Sequence, residues 1–210
     1  MILSKKDLDN YIKTDLIALN KYPLSFKEKL GGVFVPTVWK FQIKLRKYEY
    51  HLNCDNKNSI NRILNYIRRL SFERYSVKLG LTIPPNVFGP GLCIGHYGMI
   101  IVHGDAHVGS NCRLQGGVNI GNYSTSPEIT TGHAPKIGDN VYIGPGAKLF
   151  GKIEIGDNVR IGANAVVNKD VIGNVTVGGI PAKVISNTPS NHGIKVKDYL
   201  NRLMDESHGQ

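Results

Sequence analysis

Residues 137–167 read IGDNVYIGPGAKLFGKIEIGDNVRIGANAVV, and in this stretch Ile137, Ile143, Leu149, Ile155, Ile161 and Val167 fall in one frame of six. A helix would place its apolar residues three and four apart, so this spacing is not helical. Ordinary antiparallel strands joined by glycine turns also give short apolar segments, but they alternate and vary in length. A strict period of six, with a small residue two positions before the aliphatic one (Ala147, Ala165), suits a parallel β-helix. Each flat face of such a rod takes one hexapeptide, three hexapeptides make a coil of eighteen, and the aliphatic side chains stack inside. Gly138, Asn140, Gly156, Asn158, Gly162 and Asn164 then fall at corners, where Gly and Asn tolerate left-handed backbone.

These hexapeptides, closed by VGGIPAKVI, resemble the left-handed β-helix acyltransferases, and the serine acetyltransferase family in particular. The resemblance runs from about Ile83 to Ile185 and supplies the left-handedness, which the usual preference for right-handed crossovers opposes. The expected fold is mostly β: a left-handed parallel β-helix over 81–186, a basic helical region over 1–80, and a tail over 187–210 in which Val196–Met204 suits a short helix.

Length, at 210 residues, fits one domain with an extension. MILSKKDLDNYIK has charges where a signal peptide would be apolar, and no segment approaches the length of a membrane span. Cys54, Cys93 and Cys112 are an odd count without metal spacing, so they read as free thiols in a reducing compartment. Cytoplasmic location follows, peripheral to the inner membrane face if the basic region binds there.

Charge divides the chain. Residues 1–80 hold 16 Lys+Arg against 7 Asp+Glu, and the remainder 10 against 9. The first region reads as helices: Leu8, Tyr11, Ile12 and Leu16 lie along one stripe, Val38–Leu45 begins a Lys-rich amphipathic stretch, and Ile60, Ile63, Leu64, Ile67 and Leu70 form another stripe. Ser59 is the expected cap of that last helix. Its basic faces suit either solvent or a polyanion or anionic membrane surface; no nucleic-acid motif accompanies them.

The frame breaks twice. Ile94 and Val102 are eight apart, so two extra residues bulge near His96-Tyr97-Gly98, and Ile120 and Ile137 are 17 apart, read as two hexapeptide steps plus a five-residue loop within 122–136. Breaks in a regular scaffold are where function is expected. Imidazole is the side chain whose ordinary pKa lets it act as a base near neutrality. GLCIGHYGMIIVHG matches, without a gap, the serine acetyltransferase segment that carries the catalytic base, and the resemblance gives that role to His96. Backbone N–H groups at Gly116 and Gly117 are the expected oxyanion donors. By the same resemblance acetyl-CoA lies in a groove between subunits of a homotrimer, along Gly144, Pro145, Gly162 and Ala163, with Lys169 and Lys183 toward its phosphates and no metal.

The chain departs from that family where its members hold L-serine. An Asp before the base, a second Asp upstream and an Arg-His pair are replaced by Gly95, Leu81 and His133-Ala134. An unpaired zwitterion in an enclosed site is poorly bound. The pattern therefore looks more like the serine-acetyltransferase-like enzymes that O-acetylate capsular or exopolysaccharide sugars, with Tyr97, Tyr123 and His133 as acceptor-binding residues. Serine O-acetyltransfer is the alternative, and a non-catalytic scaffold or polyanion-binding module a further one. A γ-type carbonic anhydrase shares the fold, but here His103 and His107 are four apart where that enzyme's pair is five apart.

Overall fold

The computed structural model describes residues 1–22, 24, 37–54, 58–122, 132–191 and 198. Among the described residues three helices precede fourteen short strands: α1 Lys5–Ala18, α2 Val38–Cys54 and α3 Ser59–Leu79.

Five strands stack in parallel as the first face: β1 Leu81–Thr82, β3 Ile100–Val102, β6 Asn119–Gly121, β9 Lys148–Phe150 and β12 Val166–Val167. The second face holds β4 His107–Val108, β7 Lys136–Ile137 and β10 Glu154–Ile155, extended by bridges at Phe88 and Val171. The third holds β2 Cys93–Ile94, β5 Arg113–Leu114, β8 Tyr142–Ile143, β11 Arg160–Ile161 and β13 Thr176–Gly179, with β14 Ala182–Ser186 pairing antiparallel to β13. The chain visits the faces in the same order on every turn, so the domain is the parallel β-helix that the period of six requires. Ile143, Leu149, Ile155, Ile161 and Val167 are buried inside it, as are Ala147 and Ala165.

Register gives the size of the two breaks, apart from a step of nineteen at Leu81–Ile100 and one of sixteen at Arg160–Thr176. Lys148 pairs with Val166 and Arg160 with Tyr142, steps of eighteen. Cys93 pairs with Arg113, a step of twenty, so the two-residue bulge at His96 is present. His107 pairs with Lys136, a step of 29. The later insertion is therefore eleven residues rather than the expected five, because Ile120 and Ile137 lie on successive faces, one hexapeptide apart, not two.

The corners divide their labour differently from the sequence expectation. Asn140, Asn158 and Asn164 take positive φ, at 59°, 59° and 54°, whereas Gly138, Gly156 and Gly162 do not. Close approach is the need instead: a Cβ on Gly138 would lie 2.9 Å from the Asp157 nitrogen, and on the neighbouring Gly144 one would lie 2.8 Å from both the Ala163 nitrogen and the Ile161 oxygen, all backbone atoms of the next coil. Along the corner between the second and third faces, Asn111, Asn140, Asn158 and Asn174 pass side-chain amide hydrogen bonds down the rod at 3.1, 2.9 and 2.9 Å.

α1 and α2 are bolted to the first coil by a buried cluster. Arg46 donates to Asp15 at 2.8 Å and Glu49 at 3.0 Å, and to the carbonyls of Phe88 and Gly89 at 2.9 and 2.7 Å. Asp15 accepts from the N–H groups of Gly91 and Leu92, and Glu49 from that of Asn86. Burial pushes both carboxyls up, against the pull of Arg46. Burial also works against the guanidinium charge, but the two carboxylates outweigh it and hold Arg46 above its ordinary range.

Two expectations for the helices need correction. Asn58, not Ser59, caps α3, its side chain accepting from the Asn61 N–H at 2.8 Å while Ser59 is already helical. The stripe of Ile60, Ile63, Ile67 and Leu70 faces solvent; α3 seats through Asn65, Phe72 and Leu79, with Phe72 stacked on Phe41 and Tyr48. Of the expected C-terminal helix over Val196–Met204, all but Asp198 lies outside the described residues.

Candidate active site

His96 stands at the corner between the third and first faces, where the surplus of two residues swings the chain outward. The bulge is backed by the end of α3. Gly80 takes the left-handed conformation that ends the helix, and Gly98 N–H donates to the Leu79 carbonyl and Ile100 N–H to that of Gly80. His96, Tyr97 and Met99 are exposed around it. Met99 itself has φ of 43°, an uncommon conformation for a residue with a side chain, and part of what turns the backbone back into β3.

Beneath the bulge lies the matching corner of the next coil. Gly95 N–H donates to the Leu114 carbonyl, and Gly117 N–H to the Gly98 carbonyl at 3.3 Å. Gly117 is thus engaged with the bulge, so of the two expected oxyanion donors Gly116 is the one whose N–H takes no part in this contact. A Cβ on Gly116 would come within 3.6 Å of the Tyr97 and Gly98 oxygens, so the two segments are in van der Waals reach. One coil further, Gly144-Pro145-Gly146 continues the same corner and Gly162-Ala163 follows, so these four expected cofactor contacts line one edge with His96.

Other expected residues sit elsewhere on the chain. His133 precedes β7 at the corner between the first and second faces, beside Gly132, whose N–H donates to Asp105 at 3.3 Å. Lys169 occupies that corner too, and Lys183 lies on β14 at the end of the third face. A single chain therefore does not bring His133, Lys169 or Lys183 to His96. Tyr123 lies outside the described residues.

Two side chains that the sequence reading passed over belong to the His96 corner. Lys148, on β9, donates to the Gly117 carbonyl at 2.6 Å and places a cation under the glycine pair. Gln115 lies directly under Gly95: a Cβ there would come 2.5 Å from its Oε1 and 2.9 Å from its Nε2. The signal for both was register, since Gln115 lies twenty residues from Gly95 and Lys148 lies 31 from Gly117, and each is adjacent only once the coil lengths are known.

Clefts of about 760 Å³ over the second face and 550 Å³ between α3 and β1 are not lined by His96. The His96 corner is an open edge on one chain. Among the described residues no three His, Cys, Asp or Glu side chains gather as metal ligands, and no helix is long and apolar enough to cross a membrane. Burial pushes the Cys93 thiol up to about 11 and that of Cys112 higher still.

Residues 134–169 match the bacterial transferase hexapeptide (six repeats) family. The chain is 41% identical over 128 residues to a serine acetyltransferase of Synechococcus elongatus, covering 60% of this chain and 48% of that one. It is 35% identical over 128 residues to the serine acetyltransferase of Mycobacterium tuberculosis, covering 60% and 55%. The chain thus spans about half the length of the curated relatives it matches. Among solved structures, serine acetyltransferase of Neisseria gonorrhoeae superposes with a TM-score of 0.67 at 28% identity, over 89% of this chain and 68% of that one. The soybean enzyme gives 0.67 at 26%, over 86% and 70%. Residues 134–169 thus match the hexapeptide transferase model, and the relatives and solved structures named above, to which the chain is similar, are serine acetyltransferases.

Proposed function

We propose that this chain is an acetyl-CoA-dependent O-acetyltransferase with His96 as general base. One observation carries the assignment: in a rod whose central coils step by eighteen, the step of twenty between Cys93 and Arg113 places its surplus at an exposed corner that presents His96, stacked on the Gly116-Gly117 turn. The neutral imidazole takes the proton of the acceptor hydroxyl, whose oxygen attacks the thioester carbonyl carbon. The tetrahedral oxyanion is met by backbone N–H at Gly116, with the Lys148 cation close behind. Collapse breaks the carbon–sulfur bond, and the imidazolium returns its proton to the departing thiolate, leaving an ester and free coenzyme A.

The open corner supports assembly. His96 and the Gly144, Pro145, Gly162 and Ala163 edge lie on one corner, His133 and Lys169 on another, so a groove between left-handed prisms of a homotrimer unites what one chain keeps apart. Acetyl-CoA in that groove would meet both sets.

The relatives' names support L-serine as acceptor over the surface-polysaccharide sugar expected from the sequence. A second reading, a neutral polyhydroxyl acceptor, is favoured by Gln115. Its carboxamide fills the space that a side chain at position 95 would need, so an uncharged group stands beside the base where the resemblance expects a carboxylate for an ammonium. The test is release of thiol from acetyl-CoA with L-serine and a panel of glycans offered in parallel, using wild type and His96→Ala. Turnover confined to L-serine removes the sugar reading. Turnover confined to glycans removes the serine reading, and turnover unchanged in His96→Ala removes the base.

A further inference from the structure

The last turn of α3 holds the catalytic bulge through backbone atoms. The helix ends at Gly80, left-handed at φ of 65°, and its final carbonyls meet the strap of chain that follows His96. The Leu79 carbonyl accepts from the Gly98 N–H at 3.0 Å, and the Gly80 carbonyl from the Ile100 N–H at 3.1 Å. On its other side the strap is held by the next coil, where the Gly117 N–H donates to the Gly98 carbonyl at 3.3 Å. Gly98 therefore stands between the helix end and the Gly116-Gly117 turn, two residues from His96.

Gly80 sets how closely helix and strap approach. A Cβ there would lie 3.2 Å from the Met99 nitrogen and 3.4 Å from the Gly98 Cα, both backbone atoms that cannot rotate aside. The helix is the partner that cannot yield: Leu79 is buried, and Phe72 is stacked on Phe41 and Tyr48. The strap has space to move into, because a Cβ on Gly98 would meet nothing within 4 Å, and Tyr97 and Met99 are 68% and 71% exposed. A side chain at position 80 would thus displace the strap outward, and His96 with it.

We propose that Gly80 is a positioning residue for acetyl transfer: its missing side chain lets the end of α3 fix the strap, and through it the base and the turn beneath. This rests on the assignment of His96 as base. The Gly144-Pro145 and Gly162-Ala163 edge lies on later coils that the helix end does not touch, so the effect falls on kcat and not on KM for acetyl-CoA. A shift of a few tenths of an ångström suffices, since misplacing a reacting group by about 1 Å costs on the order of 10²-fold in rate.

Two substitutions separate position from stability. Gly80→Ala and Gly80→Asn add the same Cβ against Met99, but Asn accepts the left-handed conformation that Ala resists. Thiol release from acetyl-CoA is measured for both, with L-serine and the glycan panel as acceptors, beside wild type and His96→Ala. Both Gly80 variants should lose at least about tenfold in kcat with KM for acetyl-CoA held within about twofold. Tm should fall by roughly 2–8 °C in Gly80→Ala and by less than about half of that in Gly80→Asn. Hydrogen exchange at the Gly98 and Ile100 amides should quicken at least about tenfold in both. Wild-type kcat in Gly80→Asn overturns the proposal, as does a loss of kcat that follows Tm or a change confined to KM. Wild-type turnover in His96→Ala removes the base, and this proposal with it; an inactive His96→Ala beside a fully active Gly80→Asn removes this proposal alone.

Discussion

Replacing Arg46 by Met should be the most damaging single change outside the rod. The guanidinium holds two buried carboxylates, at 2.8 and 3.0 Å, and caps the carbonyls of Phe88 and Gly89. Met fills much of the volume and removes every one of these bonds. Asp15 and Glu49 then remain buried without a counter-charge, a situation that costs about 3–5 kcal/mol. For a chain of this length that is a fall in Tm of roughly 6–20 °C. The pH dependence carries the sharper signature. With Arg46 gone, only the backbone N–H groups of Gly91, Leu92 and Asn86 still oppose burial, and the pKa of both carboxyls rises further above the unfolded value. A raised folded pKa gives stability that is present at low pH and lost as pH rises through it. Urea unfolding of the variant at about pH 5.5 and about pH 8 should therefore show the larger deficit at the higher pH. A deficit below about 1 kcal/mol, or one equal at both pH values, would refute the view that this cluster is an ion-paired bolt rather than surface polarity that happens to be covered.

His96→Ala should lower kcat for acetyl-CoA turnover by about 10²- to 10⁴-fold with the melting curve unchanged, the range for loss of a general base; stopped assays of thiol release check it. Gly144→Ala drives a methyl against the backbone of the next coil and should cost about 1–3 kcal/mol in urea unfolding, whereas Gly98→Ala, where a Cβ meets nothing within 4 Å, pays only for its φ of 103°. Cys93 predicts an alkaline limit. Its folded pKa of about 11 exceeds the unfolded thiol's value, so stability present below about pH 8.5 should decline toward pH 11 by roughly 2–3 kcal/mol, and Cys93→Ala should flatten that slope.

Residues 137–167 made the rod legible because an inward aliphatic side chain is an absolute requirement at each face, and the requirement recurs every six positions. The bulge at His96 was legible for the same reason, as a miscount against a strict period. The eleven-residue insertion was misjudged because a frame counted along the chain does not say which face comes next; that order is fixed only by the pairing of His107 with Lys136. Gln115 and Lys148 escaped because their neighbours are one coil away, and contact across coils leaves no local mark in sequence. The α3 stripe misled in the opposite direction. Its periodicity correctly announced a helix, but it did not say which side of that helix the rod would bury.

The amide ladder of Asn111, Asn140, Asn158 and Asn174 runs unbroken past the insertion, since Asn111 and Asn140 are 29 residues apart in the chain yet still exchange a hydrogen bond. A segment can thus be spliced into a corner of this rod without disturbing the stacking of any face above or below it. The scaffold behaves like a spool with numbered notches: loops of different length and chemistry can be swapped at one notch while the catalytic corner keeps its alignment. The loop at that corner is free to change by exchange, with no retuning of the core.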